Sequence, residues 1–212
     1  MKRYDNAISI YEQTILSKLV SQIKIKRAIE IGCCSGESTK SIIQSMNSGA
    51  RLICIDWFLG NSENKLSDLK KSSDTIRDFR ENINSTGRKD DCIIIISKSD
   101  IPHILIENNS IDFIFIDADH RYDGFMTDLK LYWPKLKIGG TMSGHDMDTT
   151  LTPETSEHIR ANKNTDCTEL GHCGVILGVH DFFHEKIAPI RERIWAVKKI
   201  SEDPKKAQLV IL

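Results

Sequence analysis

The chain has 212 residues, of which 40% are hydrophobic and 28% charged. That is enough apolar material for one core of ordinary size, and it argues against disorder. Lys and Arg number 29 against 30 Asp and Glu, a formal net charge of -1, which disfavours a nucleic-acid binder working through a broad basic face. No apolar run approaches the roughly eighteen residues of a membrane span. The opening Met1-Lys2-Arg3-Tyr4-Asp5-Asn6 has no apolar stretch behind its basic residues, and six cysteines, two of them adjacent, do not make a disulfide framework. The expectation is a single reduced, cytoplasmic domain over residues 1–212, with neither nucleic acid nor membrane as partner.

A leading segment over residues 1–25 contains a helical pattern from Ile8 to Val20. After it, short apolar runs alternate with helical patterns. Arg27–Ile31, Arg51–Ile55, Cys92–Ile96, Ile111–Ile116 and Leu136–Met142 read as strands buried on both faces of a mostly parallel sheet. Ile76, Phe79 and Ile83 form one helical stripe, and Phe125, Leu129, Trp133 and Leu136 form another. Strands in alternation with helices predict a doubly wound α/β fold, whose ligands lie beyond the carboxyl ends of the strands. Two polar stretches interrupt the alternation, Leu59 to Ser73 and Met147 to Leu170. Each follows a strand end and so can cover a crevice, the second being the expected lid. Ile194–Val197 and Leu209–Leu212 regain β character and predict a closing antiparallel hairpin.

The first strand runs into Glu30-Ile31-Gly32-Cys33-Cys34-Ser35-Gly36-Glu37-Ser38-Thr39. A dinucleotide fingerprint starting at Gly32 needs glycine where Cys34 and Glu37 stand, and Glu37 puts a negative charge where a pyrophosphate would sit. A nicotinamide-dependent oxidoreductase is thereby disfavoured, and a cationic or zwitterionic ligand suits the loop better. Asp56 lies 20 positions after Gly36, the spacing at which a carboxylate accepts hydrogen bonds from a ribose diol. Trp57 beside it can stack on a purine or bury in the helix layer. A ribose acceptor without a phosphate cradle suggests a nucleoside with a charged amino-acid tail, such as S-adenosylmethionine.

These residues, followed by Ile116-Asp117-Ala118-Asp119-His120-x-Tyr122, Gly139-Gly140 and Gly144-His145-Asp146, resemble the class I S-adenosylmethionine-dependent methyltransferases. More narrowly, they resemble the small-molecule O-methyltransferase branch that includes macrolide-sugar methyltransferases and cephalosporin-biosynthesis relatives. The resemblance spans Ala28 to Asp146 and implies a Rossmann-like, seven-stranded sheet. It also implies transfer of a methyl group from S-adenosylmethionine to a hydroxyl of a sugar or diol-type small molecule, as a monomer or homo-oligomer. Glu30, Gly32, Cys34, Gly36 and Ser38 are then expected around the methionine end and Asp56 and Trp57 at the nucleoside. Ser97 and Ser99 would flank the adenine, with Asp117 between cofactor and acceptor. A protein that binds the nucleoside without turnover is the rival reading.

The fourth and fifth strands end in Asp117 and in His145-Asp146. Neighbouring strands bring such carboxylates together, and they repel unless protonated or bridged by a cation. The metal-dependent relatives imply Asp117 and Asp146 as ligands of a divalent ion. Mg²⁺ suits oxygen donors, and a ligand at His145 would turn the site toward Mn²⁺ or Fe²⁺. The metal-free alternative makes Asp117 a helix cap and Asp146 a lid anchor. His120 is the expected general base, with His145 its competitor. His158, Cys167, His172 and Cys173 match no zinc spacing and read as structural or solvated.

Overall fold

The computed structural model describes residues 8–60, 66–184 and 186–212, with side chains left aside over 66–72. The leading helix α1 is Ile10–Ser21. Its start is a capping box: the Ser9 hydroxyl accepts the Glu12 amide at 3.2 Å, and the Glu12 carboxylate accepts the Ser9 amide at 2.8 Å. Residues 1–7 of the expected leading segment lie outside the described residues.

Then follow β1 (Arg27–Ile31), α2 (Glu37–Ser45), β2 (Arg51–Asp56), α3 (Leu66–Ser85), β3 (Cys92–Ile96), β4 (Ile111–Ile116), α4 (Tyr122–Tyr132) and β5 (Leu136–Gly144). The chain closes with α5 (Pro153–Ala161), α6 (Cys173–Phe182), β6 (Trp195–Lys198) and β7 (Gln208–Leu209). The sheet order is β3-β2-β1-β4-β5-β6-β7. The first five strands in chain order are mutually parallel, while β6 runs antiparallel to β5 and β7 antiparallel to β6. This is the doubly wound, mostly parallel, seven-stranded sheet with the closing hairpin that the sequence predicts, although β7 keeps only two residues.

The inner strands β1, β2 and β4 are largely apolar because both faces are covered; β3, expected to be buried on both faces, is instead an edge strand that leaves Ile93, Ile94 and Ile96 exposed. In β4, Phe113 and Phe115 join Leu16, Ile42 and Phe79 on the side of α1–α3. The alternate residues Ile114 and Ile116 join Phe125, Leu129 and Val179 on the side of α4 and α6. The stripe from Phe125 to Leu136 does not remain in one helix. It leaves α4 at Trp133, turns through Pro134, and Leu136 opens β5.

The two polar stretches hold more structure than expected. Leu66–Ser73 already belongs to α3, and residues 61–65 lie outside the described residues. Met147–Leu170 contains α5, started by a second capping box of Thr152 and Thr155 with Pro153 at its first position. Ile159 of α5 packs on Cys173, Ile176 and Leu177 of α6, a small core apart from the two that flank the sheet. Among the described residues, no helix is long and apolar enough to cross a membrane.

Candidate active site

Strand register gathers the site. Ile31 pairs with Ile55 on one side and Ile116 on the other, and Ile116 pairs with Gly144. The next residues, Gly32, Asp56, Asp117 and His145, therefore share one rim. Chain order reverses between β1 and β4, which is where a doubly wound sheet opens a crevice.

Gly32 has φ 83°, and a Cβ there would collide with the carbonyl oxygen of Asp117. The glycine loop is thus pressed against the end of β4 as only a residue without a side chain permits. Asp56 pins the loop from the other side. Its Oδ2 accepts the amides of Cys33 at 2.7 Å and Cys34 at 2.8 Å, and its Oδ1 accepts the Phe58 amide at 2.6 Å. Cys34 is exposed at the loop tip with φ 43°, whereas Cys33 turns its thiol into the core. Burial pushes the Cys34 thiol up to about 11 and the Cys33 thiol higher still, so neither is activated.

Glu30 is fully buried, and no described cationic residue forms an ion pair with its carboxyl. Burial pushes its pKa up to about 8, with Ser38 and Thr39 offsetting part of the rise. The Lys98 ammonium lies 4.8 Å from the centre of the Trp57 ring, and the Ser97 amide bonds the Asp56 carbonyl. Trp57 and Ser97 are thus both placed at the rim, one following Asp56 in the chain and the other bonded to its carbonyl. Ser99 is drawn toward α4, where its carbonyl accepts the Tyr132 hydroxyl at 2.6 Å.

Beyond Gly32, acids and histidines from separate elements converge. His120 Nε2 is 3.0 Å from Asp146 Oδ2 and 3.6 Å from Asp117 Oδ1, and its Nδ1 is 3.1 Å from Asp166 Oδ1. His145 Nδ1 is 3.1 Å from Asp146 Oδ1 and 3.7 Å from Asp117 Oδ2, and its Nε2 is 3.0 Å from Glu12 Oε1. Arg193 donates to Glu12 and Asp146, each at 2.9 Å. His172 Nδ1 lies 2.9 Å from Asp148 Oδ2 and 3.4 Å from Asp146 Oδ1.

Carboxylates outnumber permanent cations here, so the imidazoles of His120 and His145 are held protonated. Burial opposes charge on His120, yet Asp117, Asp166 and Asp146 raise it to about 10; Asp117, Asp146 and Glu12 raise His145 to about 12 against the same opposition. Asp117 responds inversely: burial would raise it, but His145 and His120 hold it well below the usual carboxylate range.

The structure brings the expected Asp117, His120, His145 and Asp146 together. It also adds Glu12, Asp148, Asp166, His172 and Arg193, which sequence reasoning did not place there. Only Glu12 carried a readable signal, as the far member of the Ser9 capping box. His158, grouped with His172 by spacing, lies instead beside Glu169 and Thr168.

The architecture is that of an α/β ligand-binding domain whose crevice opens between β1 and β4. Residues 29–147, more than half of the chain, match the model of a family described as a methyltransferase domain, and the chain belongs to that family. No curated protein matches it significantly. Among solved structures, cofactor-bound Rv0187 from MTB superposes with a TM-score of 0.65 at 13% identity, over 93% of this chain and 83% of that one. An O-methyltransferase from Bacillus cereus in complex with SAH gives 0.59 at 17% identity, over 92% and 84%. A Corynebacterium glutamicum protein gives 0.52 at 18% identity over 65% of this chain, which spans only 58% of that protein's length. The shared fold is the Rossmann-like methyltransferase sheet.

Proposed function

We propose that the chain transfers the methyl group of S-adenosylmethionine to a hydroxyl of a small molecule, of sugar or diol type. The observation that carries this reading is the contact between Gly32 and the Asp117 carbonyl. It sets the loop that would hold the methionine end directly against the groups that would receive the acceptor's proton.

The residues fit the cofactor. The Cys33 and Cys34 amides are spent on Asp56, so the loop offers a diphosphate no donors there, and Glu37 opens α2 with a negative charge. Glu30 supports an ammonium group instead, because its carboxyl is fully buried with the hydroxyls of Ser38 and Thr39 beside it and no ion pair to a described cationic residue. Asp56 retains an acceptor site on Oδ1 for a sugar hydroxyl, beside Trp57 and Ser97. The resemblance to the O-methyltransferase from Bacillus cereus in complex with SAH supports the same cofactor and acceptor atom.

The donor set also fits a divalent ion. Asp117, His145 and Asp146 each offer a ligand atom within 4.8 Å of the others. Such an ion would supply Lewis acidity, lowering the pKa of an acceptor hydroxyl. Of the two histidines expected to take the proton, His145 has a fully buried side chain with carboxylates at both nitrogens, whereas His120 keeps an exposed edge. The hydroxyl proton passes to Asp117, the carboxylate that faces the crevice, with the protonated His120 beside it offsetting its charge. Methyl transfer otherwise needs alignment and exclusion of water, because the sulfonium is already activated. Calorimetry with S-adenosylmethionine, S-adenosylhomocysteine and NAD, followed by methyl-transfer assays on diols with and without EDTA, tests the reading. Binding of NAD alone would overturn it.

A further inference from the structure

We infer that the ion of this crevice is a transition metal of the Zn²⁺, Mn²⁺, Fe²⁺ or Co²⁺ kind, held by His120, Asp146 and His172 and not by an all-oxygen set. The inference rests on the methyl-transfer reading of the crevice and deepens it. His120, Asp146 and His172 each offer a ligand atom, all within 4.8 Å of one another.

Two features mark this trio as a prepared site. Metal-binding histidines commonly give their second ring nitrogen to a carboxylate, which fixes the tautomer and the ring direction. Here Asp166 engages His120 Nδ1 at 3.1 Å, leaving Nε2 to face Asp146 Oδ2 at 3.0 Å. Asp148 engages His172 Nδ1 at 2.9 Å and also accepts the His172 amide at 2.8 Å, and His172 Nε2 is buried with no partner. The second feature is the backbone. Asp146 holds φ 61°, in the left-handed region that few side-chain-bearing residues other than Asn and Asp adopt. A Cβ on Gly174 would collide with the His120 carbonyl, so the start of α6, capped by His172, lies against His120, with the two imidazole rings 4.6 Å apart.

The overlapping trio of Asp117, His145 and Asp146 is already compensated. Arg193 engages Asp146 Oδ1 and Glu12, and Glu12 engages His145. Asp146 Oδ2, buried and without a hydrogen bond, is turned the other way, toward His120. Two imidazoles with one carboxylate select borderline metals, whereas Mg²⁺ prefers oxygen ligands and its own waters. Held by the ion, His120 would no longer be free to take a proton, and Asp117 would remain as the acceptor facing the crevice.

The test is titration of chelator-treated protein with Co²⁺, followed by its visible absorption and by calorimetry. One Co²⁺ per chain is expected, not displaced by a hundredfold excess of Mg²⁺. His172→Ala should abolish the absorption, and Asp148→Asn, which removes only the orienting charge, should weaken Co²⁺ about ten- to a hundredfold. Binding of S-adenosylhomocysteine is measured on the same samples. If it binds while Co²⁺ does not, or while Co²⁺ binding survives His172→Ala and Asp148→Asn unchanged, the metal assignment is overturned and the methyl-transfer reading stands. If neither binds, both fall. Loss of Co²⁺ in His145→Gln alone would return the site to the other trio.

Discussion

Glu12 Oε1 lies 3.0 Å from His145 Nε2, joining the first helix to the end of β5 across 133 positions of sequence. The same carboxylate closes the capping box of α1 and receives Arg193, so one buried side chain fastens three parts of the chain at the crevice. Removing one partner of a buried ion pair leaves the others uncompensated and costs about 3–5 kcal/mol. Glu12→Ala is therefore expected to lower the stability of the folded chain by that order in urea unfolding. A loss below about 1 kcal/mol would mean that α1 docks through Leu16, Leu19 and Val20 alone.

Much of this architecture is legible in the sequence, and the reason is physical. Strands covered on both faces must be apolar along most of their length, so runs such as Phe113–Ile116 stand out. The residues at the carboxyl end of a strand are set on the rim by the sheet itself, which is why Gly32 and Asp56 could be placed from spacing, and Asp117 and Asp146 from the strand order that the resemblance implies. His172 and Asp166 could not. They arrive through a segment whose path depends on α5 and α6 packing against each other, and no periodicity announces where its polar residues land. Arg193 was hidden for the same reason. The structural duty of Asp56 was hidden too, because accepting backbone amides leaves no mark on which residues are neighbours in sequence.

That duty makes Asp56 the residue most sensitive to a near-isosteric change. Hydrogen bonds to a charged acceptor contribute about 1.5–3 kcal/mol each, and Asp56 accepts three from Cys33, Cys34 and Phe58. In Asp56→Asn the charge is lost and an amide group replaces one acceptor. Affinity for S-adenosylmethionine is expected to fall at least tenfold, with a lower melting temperature even without ligand. A variant with unchanged melting and weaker binding would assign Asp56 to the ribose only.

Glu30 gives the fold a dependence on pH. Its carboxyl ionises near 4.5 in an unfolded chain but only near 8 in the folded one, because burial disfavours the charge. Below 4.5 both states are protonated and the residue has no effect. From there to about 8 only the unfolded state loses its proton, so folding stability falls with rising pH by at most about 1.4 kcal/mol per unit, then levels off. Urea unfolding at pH 5 and pH 8 should show this decline in the native chain and much less of it in Glu30→Gln. Parallel pH dependences in the two proteins would mean that Glu30 is ionised in the folded state.

His120 is the histidine on which turnover depends. It touches Asp117, Asp146 and Asp166, and so ties the rim of β4 to the segment between α5 and α6. His145, by contrast, is sealed beneath the rim by Glu12 and Asp146. Loss of a group that moves or governs the acceptor's proton costs about a hundredfold or more in rate. His120→Ala is expected to lose that much turnover while its affinity for S-adenosylmethionine changes little, since the glycine loop is held by Asp56 and not by His120. His145→Gln is expected to act chiefly on stability, through the buried Glu12 left behind. Comparison of turnover number with melting temperature in the two variants separates the roles. Full turnover in His120→Ala, together with a silent but well-folded His145→Gln, would transfer the proton to the sealed histidine.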